Sequence, residues 1–485
     1  MNELRKSELT WFYGLSALFT AAMVFFLSKE MYLAAAFPAA IAIVLLSLFA
    51  LDYVLLGIAF FTPLAIVIND KSDGPAVSIP TEPLLFGAMI LALFKFLARG
   101  GIDRKVAYHP VTLSIGLLLA WKSITCLTSS MPLVSIKHLL AQCWFIIPLY
   151  LLGTQLFRDP KNINRFIWCY TSSLLIVIGY TLYSHAEHDW TQEAAHFVMY
   201  PFYNDHTAYA AALALFIPPL IAILTLPKTG ASEKSTAWVY LIILLVAIIL
   251  SYTRAAWISL LVALAAFIVY FFRIGFWKVA VTGGTVLALF LAFQSDIFMK
   301  LEKNRQDSAT DINKHLQSIS NISTDASNLE RINRWNSAFR MWHDRPFFGW
   351  GPGTYQFNYA PFQKSDEMTI ISTNAGNRGN AHSEYIGPLA ESGILGMATM
   401  ILLVLVTVYK ASVFYSETND PYLRRMTLGI LLGLITYFVH GTLNNFLDTD
   451  KLSVPFWAFM AMLVSLEVYR PGEATTTSGI DSLKP

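Results

Sequence analysis

A chain of 485 residues that is 55% hydrophobic, only 14% charged and has a mean hydropathy of +0.51 is not built like a soluble protein, since soluble chains carry roughly a quarter charged residues. Its net charge of +2 leaves no nucleic-acid footprint. Apolar runs of about 17–25 residues recur, each long enough to cross about 30 Å of hydrocarbon, so the fold class is an all-α polytopic membrane protein.

In chain order, Met1–Lys6 reads as a short basic tail, and no cleavable signal peptide is expected. Spans are predicted near 11–27, 32–49, 52–68, 83–98, 111–127, 139–156, 165–183, 207–226, 237–252, 255–272 and 276–294. After a long hydrophilic stretch they resume near 384–409, 425–445 and 453–468, for about 12–14 helices in all. The organisation is thus N-terminal membrane helices (1–294), one large loop (295–383), C-terminal membrane helices (384–468) and a tail (469–485). Cys126, Cys143 and Cys169 lie in or beside apolar segments and suggest neither a disulfide framework nor a metal cluster.

Basic residues orient the spans. Alternate connections carry Arg5/Lys6, Arg99/Arg104/Lys105, Arg158/Lys161/Arg165, Lys228/Lys234, Arg273/Lys278 and Lys410/Arg424/Arg425. The intervening short loops hold about one lysine apiece: Lys29, Lys71, Lys137 and Lys451. By the positive-inside rule the first set is cytoplasmic, as are both termini, and the large loop is outside.

One arginine tests this layout. From Ala237 to Phe272 the only charged residue is Arg254. A single helix over those 36 residues would be about 54 Å long, too long for one crossing. Two spans therefore meet at Ser251–Arg254, which moves Arg254 from mid-bilayer to the outer boundary. There it either snorkels to lipid headgroups or faces a cavity in the protein, as intramembrane ionisable residues usually do.

In the large loop, Lys300–Asn328 is polar and lacks apolar periodicity. Ser327 and Glu330 then fit a capping box, followed by a helix to about Asp344 that Pro346 ends. Arg331, Arg334, Trp335, Ala338 and Trp342 share one face by 3–4 spacing. Arginines in the opening turns of a helix add bidentate donors to free N–H groups and a favourable dipole, which suits phosphate or pyrophosphate. The plainer reading is a surface helix whose arginines pair with Glu330 and Asp344. "PFFGWGPGTY" lacks the G-K-[ST] ending of a nucleotide loop and reads as a turn cluster leading back to the membrane.

His382 precedes the next span. His382 and Glu384 form too sparse a set for a metal site, and no metal is expected. Asp205 and His206 open the span near 207 on the same side, where an aspartate ordinarily caps the helix. Arg254, Arg331, Arg334 and His382 come from separate segments, yet the layout brings all four to the outer boundary. Cations at headgroup level, with one group able to move protons near neutral pH, suit chemistry on a lipid-linked phosphate.

The blocks "SYTRAAW", "ERINRWNSAFRMWHDRPFFGWGPGTY" and "NAHSEYIGPLAESGILG" resemble the signature blocks of the O-antigen ligase/polymerase superfamily, over roughly residues 200–445. The resemblance implies a GT-C-like membrane fold and one large periplasmic loop. Its essential arginines and histidine map onto Arg254, Arg331 and His382, with Arg334 the competing loop arginine. Thr253-Arg254-Ala255 stands where the family more often has Ser-Arg-Gly. The implied reaction transfers a preassembled glycan from an undecaprenyl-diphosphate carrier to an acceptor at the periplasmic face of the bacterial inner membrane, without cofactor. His382 is then a base for the acceptor hydroxyl or a donor to the pyrophosphate. The acceptor is lipid A–core, another glycan chain or a protein. The late loop and the His block directly before a span favour lipid A–core, hence a ligase. A transporter of lipid-linked sugars would show internal repeats and broken mid-bilayer helices, and none is visible in the sequence.

Overall fold

The computed structural model describes residues 50–68, 77–98, 101–227, 229–274, 329–369, 372 and 379–469, with scattered positions from 14 to 29. The spans expected near 32–49 and 276–294, the polar 300–328 stretch and Ser327 of the expected capping box lie outside the described residues.

The chain forms two compact units, residues 1–57 and 58–485. In the first, the described positions from 14 to 28 are helical. Helix α1 (Leu51–Leu64) begins there and runs into the second unit. Then follow β1 (Ile66–Ile68), β2 (Val77–Ile79), α2 (Thr81–Ala98), α3 (Arg104–Ala107), α4 (Pro110–Leu127) and α5 (Pro132–Leu156). Next come α6 (Pro160–Glu187), α7 (His206–Thr225), α8 (Ala231–Leu250) and α9 (Arg254–Phe271). The loop contributes α10 (329–344) and α11 (Tyr355–Asn358), and the chain closes with α12 (Ile386–Glu417), α13 (Pro421–His440) and α14 (Asp450–Val468). Ten helices among the described residues are long and apolar enough to cross a membrane, as an all-α polytopic protein requires.

Two expected spans are trimmed. The one near 52–68 stops at Leu64, and its β-branched end pairs as an antiparallel hairpin in which Val67 faces Ser78. The one near 425–445 stops at His440, because residues 441–449 are taken into hydrogen bonds described below.

The tract holding Arg254 breaks as its length demands. Helix α8 ends at Leu250, Tyr252 turns with φ of 49°, and α9 starts at Arg254. The core of the second unit lies along α7 and α14, both almost wholly buried. Helix α13 can lie on α7 because Gly429 and Gly433 stand one turn apart: a Cβ on Gly433 would sit 2.6 Å from the Leu215 carbonyl oxygen, and one on Gly429 would sit 2.5 Å from the Ala222 Cβ. Small residues at that spacing let backbones approach where no hydrophobic effect drives association.

Candidate functional site

The end of α8 and the starts of α7 and α9 share one end of the bundle, and the residues just before α12 lie near it, since the charge of Asp205 acts on His382. At that end Asp205 caps α7, accepting from Thr207 N at 2.8 Å and Thr207 Oγ1 at 2.6 Å. It also lies 3.1 Å from His206 Nδ1, and the His206 ring stacks on His196 at 4.3 Å between centroids. Burial works against ionising Asp205, yet His206 and Thr207 hold its carboxyl well below the usual range. Burial and the facing His206 ring lower His196 from the ordinary histidine value.

The turn before α9 is pinned to the same place. Thr253 Oγ1 donates to the His206 carbonyl oxygen at 3.4 Å, and Ser251 Oγ closes the end of α8 on the Ile248 carbonyl at 2.7 Å. Arg254, the first residue of α9, is exposed. Among the described residues its guanidinium makes no hydrogen bond or ion pair. Its connection to the Asp205 region runs through its neighbour Thr253 and not through its own guanidinium.

The loop helix α10 is not a solvated surface helix. Glu330, Asn333, Arg334, Ser337, Ala338 and Met341 are buried along one side of it. Arg334 Nε donates to Glu330 Oε1 at 2.6 Å, and the guanidinium lies 3.9 Å from the centroid of the Tyr359 ring. Tyr355 Oη donates to the Arg334 carbonyl at 2.8 Å. The other oxygen of Glu330 takes Ser372 Oγ and Thr369 Oγ1. Burial opposes its ionisation, but Ser372 and Arg334 keep the carboxyl below its ordinary value.

Arg331, one residue past Glu330, faces a different environment. Burial lowers its pKa and the Asp205 carboxylate offsets part of that, so the two charges lie in one electrostatic neighbourhood. His382 joins them. It sits at φ of 48°, held by its backbone N–H on Asn380 Oδ1 at 3.0 Å. Burial first, then the charges of Arg331 and Arg334, push its pKa down to about 4, with Asp205 and Glu330 pulling weakly the other way. The imidazole is therefore neutral around pH 7 and can accept a proton.

Thus Arg331, Arg334, His382 and Asp205 are brought together, with His206 beside Asp205. Glu384 is engaged elsewhere: its Oε1 accepts from Tyr437 Oη at 2.7 Å, Phe446 N at 2.8 Å and Leu447 N at 2.9 Å. Burial and nearby Asp448 raise its pKa to about 7. This carboxyl fixes the 441–449 turn, which explains why α13 ends early.

The glycine-rich loop is seated on a break in α12. Gly393 has φ of 70° and ψ of −169°, and the break frees carbonyls that accept from Trp350 N at 3.1 Å, Gly351 N at 2.7 Å and Trp121 Nε1 at 2.8 Å. Phe348 stacks on Trp121 at 5.7 Å, and a Cβ at Gly351 would meet Ser129 Oγ at 2.0 Å. The loop so anchored carries Tyr355 and Tyr359, which hold Arg334. Gly393→Ala places a side chain 2.1 Å from the Phe347 carbonyl oxygen in a backbone region that costs non-glycine residues about 1–3 kcal/mol before any clash. Its expected outcome is a lower melting temperature in detergent and faster protease cleavage within 346–354. Unchanged melting and cleavage would show the seat to be dispensable.

Several residues were not anticipated from sequence. His440, buried at the end of α13, feels the charges of Asp205, Arg331 and His206 and lies 3.1 Å from Asn444 Nδ2 through its Nε2. Lys451, counted above as a loop charge, is buried and donates to the Thr62 and Ala65 carbonyls, each at 2.6 Å, closing the end of α1. Lys122 and His138 are linked through Gln142, at 2.7 and 3.2 Å. The available signal was their ionisable character inside apolar runs. Among the described residues no three metal-ligating side chains are grouped.

The family model described as O-antigen ligase matches residues 239–401, a segment that includes Arg254, Arg331, Arg334 and His382 but not Asp205 or His440. The match supports the O-antigen ligase/polymerase superfamily, whose members are membrane glycosyltransferase-like enzymes. No curated protein matches the chain.

Proposed function

We propose that this chain, whose residues 239–401 carry the O-antigen ligase domain, moves a preassembled glycan from an undecaprenyl-diphosphate carrier to an acceptor hydroxyl. The observation that supports the reading is a buried His382 on which the charges of Arg331 and Asp205 both act, at one end of the bundle. The acceptor oxygen attacks the anomeric carbon, and His382 takes its proton. The bond from that carbon to the diphosphate oxygen breaks, and the diphosphate leaves with the electron pair. Its growing negative charge is met by Arg331, with Arg254 entering from the exposed turn at α9. Charge stabilisation at the leaving group is commonly the largest catalytic contribution. The site then faces the periplasm from a bacterial inner membrane, with both termini cytoplasmic, as the distribution of basic loops favours.

The acceptor we favour is lipid A–core, which makes the protein an O-antigen ligase. Deleting the gene and analysing surface glycans tests this directly. A ligase leaves long polymer stranded on the carrier; a polymerase leaves single units on the acceptor; a protein transferase leaves lipopolysaccharide intact and glycoproteins bare. Either of the last two outcomes overturns the lipid A–core assignment, and unchanged glycans overturn the transfer reading itself. Complementation with Arg254→Ala is expected to restore the protein to the membrane at parental level but not the glycan. Full restoration of the glycan would remove Arg254 from the diphosphate site.

A further inference from the structure

A cavity of about 760 Å³ borders the candidate site at Asp205 and beside the backbone around His382. Asp205, Asn380 and Ser383 line it, and so do Gln142, Asn445 and Asp450. Its polar groups differ in how they are occupied. Gln142 accepts from Lys122 Nζ through its Oε1 and lies 3.2 Å from His138 Nε2 through its Nε2. Asp450 is only 2% exposed, and its Oδ2 has no hydrogen-bond partner among the described residues; neither has the buried Oδ1 of Asn445. Both are acceptor atoms on one short stretch, the 441–449 turn and the first residue of α14. A buried acceptor left unmatched costs about 1–3 kcal/mol, and the mate it lacks is a donor.

We propose that Asn445 and Asp450 form a saccharide subsite that accepts hydrogen bonds from ring hydroxyl or amide N–H groups of a glycan. The identity of the ligand rests on the glycan-transfer reading; the need for donor groups rests on the two unmatched oxygens. A metal ion suits the wall less well, because no third ligating side chain joins Asp450 among the described residues. A phosphate suits these two atoms less well, since a carboxylate and an amide oxygen would both face it. A sugar chain supplies several hydroxyl donors at once and bears no charge that Asp450 would repel. It can belong to the glycan being transferred or to the acceptor, both of which must meet beside His382.

The test uses the full-length protein in lipid nanodiscs and three probes: undecaprenyl diphosphate without sugar, the same carrier bearing its glycan, and delipidated core oligosaccharide. Asn445→Ala and Asp450→Asn are expected to bind the bare carrier within twofold of the parent. Each is expected to lose about tenfold in affinity for a saccharide probe, the value of one hydrogen bond to a buried or charged partner. Loss on the glycosylated carrier assigns the subsite to the transferred chain, and loss on the core oligosaccharide assigns it to the acceptor. Equal weakening for the bare carrier, or no weakening for either saccharide, overturns the proposal. Because Asp450 is buried, Asn445→Ala alone decides if Asp450→Asn lowers the melting temperature. Saccharide binding that depends on residue 445 in a parent unable to bind the bare carrier would sink the diphosphate reading and leave this subsite standing.

Discussion

Arg331→Gln is expected to lower glycan transfer by about 10²–10³-fold, the usual cost of removing one preorganised donor from a developing anion, while the protein still folds and inserts. Arg334→Gln is expected to fail differently. Arg334 is committed to Glu330 at 2.6 Å and to the face of Tyr359 at 3.9 Å, so removing it leaves Glu330 buried beside fewer partners. Breaking one half of a buried pair costs about 3–5 kcal/mol, which appears as a lower melting temperature and a protease-sensitive loop. The contrast follows from position on the helix: Arg334 is 4% exposed against its own loop, whereas Arg331 shares its field with Asp205 and His382. A purified Arg331→Gln protein that transfers at the parental rate would dismiss the leaving-group role. Equal loss of melting temperature in both variants would reduce the two arginines to one structural function.

The second large effect concerns pH. His382 must be neutral to act as a base, and burial with two neighbouring arginines holds its pKa near 4. The acid limb of kcat/KM, which reports the free enzyme, is therefore expected near pH 4 instead of near the ordinary histidine value of about 6.5. Activity is retained from neutral pH downward and lost as pH falls through about 4. In the donor complex a diphosphate beside His382 cancels part of the arginine charge and favours the imidazolium. The acid limb of kcat is thus expected at higher pH than that of kcat/KM. His382→Gln is expected to lose the limb together with about 10²–10⁴-fold of the rate. Activity that rises towards acid pH would mean that His382 works protonated, as a donor to the diphosphate.

What could be read before folding is what depends on short range. Most of the described spans, the break at Ser251–Arg254 and the stop of α10 before Pro346 follow from apolar run length, the 1.5 Å helical rise and the backbone restriction before proline. Arg331, Arg334 and His382 could be singled out as candidates because cationic residues from separate blocks were expected at one membrane boundary and because those blocks resemble a known family. The end of α13 was not legible, because Leu443, Phe446 and Leu447 continue the apolar pattern, and it is Glu384, some 60 residues earlier in the chain, that draws their backbone out of the helix. Nor could the sequence divide labour between the two loop arginines.

By itself, then, the sequence determined a many-span helical membrane protein with cationic blocks at one boundary, since hydrocarbon tolerates little else. Only the tertiary structure decided which charges meet. Charge pairing depends on which helix ends lie side by side, and that is set by contacts such as Gly433 against Leu215 and the loop seat at Gly393. It placed Arg334 against Glu330 and put Arg331 in the same electrostatic neighbourhood as Asp205 and His382. It also left Asn445 and Asp450 with unmatched oxygens on a cavity that no local pattern announces.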